Sequence, residues 1–111
     1  GVFAQIITNF VINSIVHGFR EKETGKININ AEKNNGELTI QYIDNGKGIP
    51  EDVLAKVFDP FFTTNKQLGT GLGMHIVYNL LTQKLKGSIV VESEVEKGVN
   101  FTIHTPLEIK T

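Results

Sequence analysis

The chain has no cysteine and no tryptophan, one methionine, and three prolines in 111 residues. Without cysteine there is no disulfide and no thiolate metal site, in keeping with a reducing, cytoplasmic setting. Neither sign of charge is in excess: 11 basic against 12 acidic side chains leave a net charge of -1. That removes any bulk electrostatic case for nucleic acid or for an anionic membrane surface. No apolar run approaches the roughly 20 residues of a membrane-spanning helix, and no signal-peptide pattern opens the chain. The sequence therefore reads as a soluble piece with no membrane contact of its own. Repeats, low-complexity tracts and linkers are also missing, so residues 1–111 are expected to form one domain with one core and one functional site. Gly1 stands inside what already reads as a helix, without an initiator Met, and a fragment of a longer protein is expected.

What is present divides into a few elements. Phe3, Ile6, Ile7, Phe10, Val11, Ile15 and Val16 recur at spacings of three and four, an apolar stripe along a first helix that Gly18 stops. Asn9, Asn13 and His17 fall at steps of four on another face of it. Residues 26–32 and 38–43 alternate apolar and polar around Asn34-Asn35-Gly36, which predicts a hairpin. Pro50, at a first helical position and followed by Glu51 and Asp52, predicts a short helix to about Lys56. Leu72, Ile76, Leu80 and Leu81 predict a helix over about 71–85, and residues 89–92 and 100–105 a second hairpin around Glu96-Lys97-Gly98. Helices on one face of a mostly antiparallel sheet make a two-layer α/β sandwich of the α+β class.

Four short blocks carry polar chemistry. Asn9 and Asn13 put side-chain amides in a row, and amide oxygens suit a hard cation such as Mg²⁺, although such residues also serve as plain solvent-facing helix positions. Asp44-Asn45-Gly46-Lys47-Gly48-Ile49-Pro50 holds a carboxylate in a tight loop. It is no ordinary Asp-Asn-Gly hairpin turn, because Pro50 opens a helix where a second strand would have to follow. Asp59-Pro60-Phe61-Phe62, with Phe58 before it, concentrates rings that must be buried. Gly69-Thr70-Gly71-Leu72-Gly73 sits where a helix begins, a place where free N–H groups and the helix dipole favour phosphate. No strand leads into it and no acidic ribose partner follows at the expected distance, so it is neither a dinucleotide fingerprint nor a P-loop.

Taken in order, these blocks resemble from end to end the catalytic and ATP-binding domain of sensor histidine kinases: an asparagine box, a first glycine box, a phenylalanine box and a second glycine box. The resemblance implies that family's fold, a mostly antiparallel mixed sheet covered on one face by helices, with ATP and Mg²⁺ as ligands. It implies Asn9 and Asn13 at the catalytic positions, with Asn13 as the metal ligand and His17 on the phosphates. Asp44 would receive the adenine amine, with Gly46, Gly48 and Ile49 against the base. Phe58, Lys66, Thr70, Gly71, Leu72 and Gly73 would complete the nucleotide site. The segment 64–68 would be a lid that nucleotide orders.

Two departures carry weight. Many relatives have a Lys or Arg where this chain has Val16, which leaves Lys66 as the cation expected near the phosphates. In relatives that hydrolyse ATP, such as gyrase, the heat-shock chaperone and the mismatch-repair ATPase, a Glu stands where this chain has Asn9, and an amide is no general base. Phosphoryl transfer to a protein nucleophile is therefore expected in place of hydrolysis. The nucleophile would be a histidine on a separate dimerisation domain of the same protein, with a response regulator downstream and this fragment monomeric. The parent protein could be anchored in the inner membrane. Neither His75, on a helix, nor His104, on the last strand, has an adjacent acidic residue, and both are expected to be structural. The alternatives are an anti-sigma-type serine protein kinase, whose members usually lack the Asp-Pro-Phe-Phe block, and a nucleotide-sensing module without transfer.

Overall fold

The computed structural model describes residues 1–19, 24–59 and 73–107. Helix α1 runs Val2–Asn13 and passes into a π-helical turn, Ser14–Gly18. Strand β1 (Ile27–Asn34) and strand β2 (Glu37–Asp44) follow, then a one-turn helix α2 (Glu51–Leu54). Helix α3 (Gly73–Asn79) is extended by a second π-helical turn, Leu80–Lys84, before strands β3 (Ser88–Glu94) and β4 (Gly98–Pro106). The strands form one sheet in the order β1-β2-β4-β3, and every pairing among the described residues is antiparallel. The parallel component expected of a mixed sheet is not among them.

Local chemistry accounts for the register. Asn35 and Gly36, at φ 52° and 77°, supply the two positive-φ positions of the tightest hairpin turn, and Asn34 pairs with Glu37 across it. Along β2 and β4 the buried positions alternate, so Ile40, Tyr42 and Asp44 share a face with Val99, Phe101, Ile103 and Thr105. Helices α1 and α3 cover that face. Ile6, Phe10, Val77 and Leu81 are fully buried against Tyr42, Phe101 and Ile103, and the Phe10 ring is 5.0 Å from Tyr42 and 4.5 Å from Phe101.

Several details differ from the sequence-based expectation. Ile15 is 61% exposed, because the buried edge of the first helix advances by fours through Ile6, Phe10, Ser14 and Gly18. Its last two positions are small because β2 ends beneath them. On α3 the inward residues are Met74 and Val77, with Leu81 beyond them, and Ile76 faces outward at 36% exposure. Pro50 caps α2 in extended conformation (ψ 153°), one residue before the first helical position.

Candidate nucleotide-binding site

The site grows from the end of β2. Asp44 is its last residue and is 2% exposed, a costly place for a carboxylate unless donors surround it. Three do. Oδ1 accepts the Gly46 N–H at 3.0 Å and the Val99 N–H at 3.2 Å, and Oδ2 accepts the Ser14 hydroxyl at 2.7 Å. Val99 is there because it faces Asp44 across the β2–β4 ladder. A carboxylate offers about four acceptor positions, so three donors leave about one open. That vacancy suits an exocyclic amine.

The protein's own backbone demands glycine in the first glycine box. A Cβ on Gly46 would sit 2.5 Å from the Gly18 carbonyl oxygen, and that carbonyl accepts the Lys47 N–H at 2.8 Å. Gly48 has φ 78° and a Cβ there would collide with the Glu94 carbonyl. Beside the close approach to a base expected from sequence, the structure gives these glycines a reason of its own: they let the Asp44 loop lie between the end of the first helix and the β3–β4 hairpin. The Ile49 N–H donates to Ser93 Oγ at 2.7 Å, and its half-buried side chain packs against the core.

Asn9, Asn13 and His17 each precede by one residue a buried position of the first helix, and all three are half-buried. The side chain of Asn9 carries a buried Nδ2 with no hydrogen-bond partner among the described residues. A buried donor left unmade costs about 1–3 kcal/mol. The π-helical turn that follows, closed by the Phe19 N–H on the Ser14 carbonyl at 2.7 Å, lies against Asp44; such turns gather at functional sites.

Phe58 is half-buried, its ring 5.5 Å from that of Tyr78 on α3. Its carbonyl oxygen lies 3.2 Å from His75 Nδ1. A carbonyl only accepts, so Nδ1 carries the proton and Nε2 accepts from Asn79 Nδ2 at 3.2 Å. His75 thus ties α3 to Phe58. His104 Nδ1 is 3.1 Å from both Glu37 Oε1 and Thr39 Oγ1. Gly73 opens α3. Lys66, Thr70, Gly71 and Leu72, together with Phe61, Phe62 and the 64–68 lid, lie outside the described residues.

The structure therefore joins the asparagine box and the first glycine box around Asp44. Sequence reasoning passed over Ser14, Tyr42 and the Val99 N–H. Ser14 and Tyr42 had a weak signal, being polar at positions where the helical and strand periods point inward; Val99 acts through its backbone and had none. Among the described residues no group of three or more His, Asp or Glu side chains is placed to hold a metal ion. No helix among them is long and apolar enough to cross a membrane.

The sequence matches, over residues 2–109, the family described as Histidine kinase-, DNA gyrase B-, and HSP90-like ATPase. Sensor histidine kinase ZraS of Escherichia coli K12 is 36% identical over 105 residues, 95% of this chain and 22% of its own length. The anti-sigma F factor of Clostridium botulinum strain Eklund 17B is 41% identical over 104 residues, 93% of this chain and 68% of its own. Among solved structures, the catalytic domain of histidine kinase ThkA superposes with a TM-score of 0.77 at 34% identity, covering 96% of this chain and 66% of that one. This chain thus spans about a fifth of ZraS. With the four boxes in order in the sequence and an antiparallel sheet covered by helices, the chain belongs to the family of histidine kinase-, gyrase B- and HSP90-like ATPases, as a histidine kinase-type catalytic and ATP-binding domain.

Proposed function

We propose that this domain binds Mg-ATP and delivers the γ-phosphate to a histidine on a separate dimerisation domain, as the kinase module of a two-component system in the cytoplasm, with a response regulator receiving the phosphoryl group afterwards. The observation that carries the reading is the buried Asp44 carboxylate, held by three donors with an acceptor position to spare. In this reading Asp44 accepts from the adenine amine, and Asn13 supplies one oxygen to Mg²⁺ while phosphate and water supply the rest. The metal would neutralise charge on the phosphates. Asn9 offers its unpaired N–H₂ to the same region, and, lacking a carboxylate, does not activate water. Phosphoryl transfer depends mainly on positioning and charge stabilisation, so a domain that orients nucleotide needs its nucleophile from elsewhere.

A second reading has a specific observation behind it. The anti-sigma F factor is 41% identical over 93% of this chain and 68% of its own length, and a serine acceptor would suit the same nucleotide site. The deciding experiment supplies the chain with γ-labelled ATP, Mg²⁺ and, separately, a histidine-bearing helical dimerisation domain or a serine-bearing anti-sigma partner protein. We expect an acid-labile, alkali-stable label on the first. Unlinked domains forgo an effective concentration that short tethers set in the millimolar range, so the acceptor is used at high concentration. An alkali-labile label on the serine protein alone would replace the histidine reading with the second one.

A further inference from the structure

Tyr42 is fully buried and belongs to the core by its ring, yet its hydroxyl is not spent on the core. It lies 2.7 Å from Ser14 Oγ, and Ser14 Oγ lies 2.7 Å from Asp44 Oδ2. The direction of this chain follows from counting protons. Ser14 has one hydroxyl hydrogen and the carboxylate can only accept, so that hydrogen goes to Asp44. Tyr42 must then donate to Ser14.

We infer that Tyr42 is a positioning residue for base recognition, acting through Ser14 on Asp44. With its acceptor side engaged by Tyr42, the Ser14 hydroxyl is held as a donor toward Oδ2. The rotor would otherwise be free to turn to the carbonyl one helical turn back, the usual alternative for a helical serine. Oδ1 is fixed by two backbone N–H groups, and among the described residues Oδ2 has only the Ser14 hydroxyl to orient it. The plane of the carboxylate, and with it the direction of its open acceptor position, therefore depends on the Tyr42 hydroxyl. Hydrogen bonds in such a series also polarise one another. Burial pushes the Tyr42 hydroxyl above its ordinary range, opposed by the Ser14 contact and assisted by the Asp44 charge, so the donor stays protonated wherever the domain works.

The inference rests on the nucleotide reading and deepens it, because the relay bears only on the group that meets the base. It is tested by calorimetric titration of the wild-type chain, Tyr42→Phe, Ser14→Ala and the double variant with Mg-ATP and with the Mg complex of purine riboside triphosphate, which lacks the 6-amino group. Losing one neutral hydrogen bond predicts that Tyr42→Phe weakens Mg-ATP by roughly three- to tenfold, with the purine riboside compound unchanged. Ser14→Ala should weaken Mg-ATP at least as much, and Tyr42→Phe should add nothing in its background, the signature of residues acting in series. Equal weakening of both nucleotides would make Tyr42 a packing residue only, and additive losses would break the series. Unaltered Mg-ATP affinity in Tyr42→Phe would overturn the relay alone. Failure of the wild-type chain to bind Mg-ATP would overturn the nucleotide reading, and the relay with it.

Discussion

The ring of Phe10 lies almost flat on that of Phe101, centroids 4.5 Å apart and planes 10° from parallel. Phe10 is flanked on the helix by Asn9, and three residues further on comes Asn13. Phe101 stands two residues from Val99, whose N–H meets Asp44. The aromatic contact therefore sets the asparagine row relative to the carboxylate, and a change in it is a change in the site.

Phe10→Ala is expected to cost about 3–5 kcal/mol, the range for truncating a buried phenylalanine. Denaturant unfolding of the wild type and the variant gives the figure. A loss under about 1 kcal/mol would mean that the pocket collapses around the alanine and that the stack does not bind the two layers together.

Asp44→Asn should separate recognition from folding only in part. The new amide presents N–H₂ where the adenine amine also donates, and losing a charge-assisted bond of about 1.5–3 kcal/mol corresponds to roughly ten- to a hundredfold in affinity. The variant should also unfold at lower denaturant, because one of the three donors that met the carboxylate now faces a donor. Asn13→Ala, in contrast, should blunt the enhancement of nucleotide affinity by Mg²⁺ and leave metal-free affinity nearly as it was. Titrations with and without Mg²⁺ distinguish the two variants, and full magnesium enhancement in Asn13→Ala would remove it as a ligand.

Much of this architecture was legible before any coordinates. Asn35-Gly36 announced its hairpin, and residues 38–43 alternated as a half-buried strand must, although the strand runs on to Asp44, which the sequence had placed in the loop. The order of the boxes singled out Asn9, Asn13 and Asp44 as candidates, and the structure places Asp44 in a buried ring of donors. What stayed hidden depends on register between elements distant in sequence. Val99 reaches Asp44 through a backbone N–H, which no side-chain pattern advertises, and it does so 55 residues away. Ser14 was passed over because its partners, Tyr42 and Asp44, lie 28 and 30 residues on. Gly46 and Gly48 were found as a motif, but their reason, the approach of Gly18 and Glu94, is a tertiary fact. Ile15 misled because the buried edge advances by fours to Ser14 and Gly18, which turns residue 15 outward.

Tyr42 gives the fold an alkaline limit. Burial, the largest influence, raises its hydroxyl above the ordinary value of 10.0, so above about pH 10 the unfolded chain gives up this proton while the folded chain keeps it. Stability rises with pH only where the unfolded state binds more protons; here it binds fewer. The contribution is therefore complete below pH 10 and is lost as pH climbs from there through the folded-state value. Thermal unfolding between pH 8 and about pH 11 should show a steeper alkaline decline in the wild type than in Tyr42→Phe. Parallel curves would mean that the other titrating groups dominate the decline.

Asn9 offers the sharpest opposition between stability and function. Its Nδ2 is buried without a partner among the described residues, and such a group costs about 1–3 kcal/mol. Leucine is close to asparagine in shape and has nothing to desolvate. Asn9→Leu should thus raise the melting temperature of the ligand-free domain. It should also shrink the further rise produced by Mg-ATP, since ligand stabilisation follows the logarithm of concentration over Kd and a polar contact to the phosphates is gone. Both signs matter: a ligand-free melting temperature that falls would show that the amide is satisfied within the fold, and an undiminished nucleotide shift would place Asn9 outside the site.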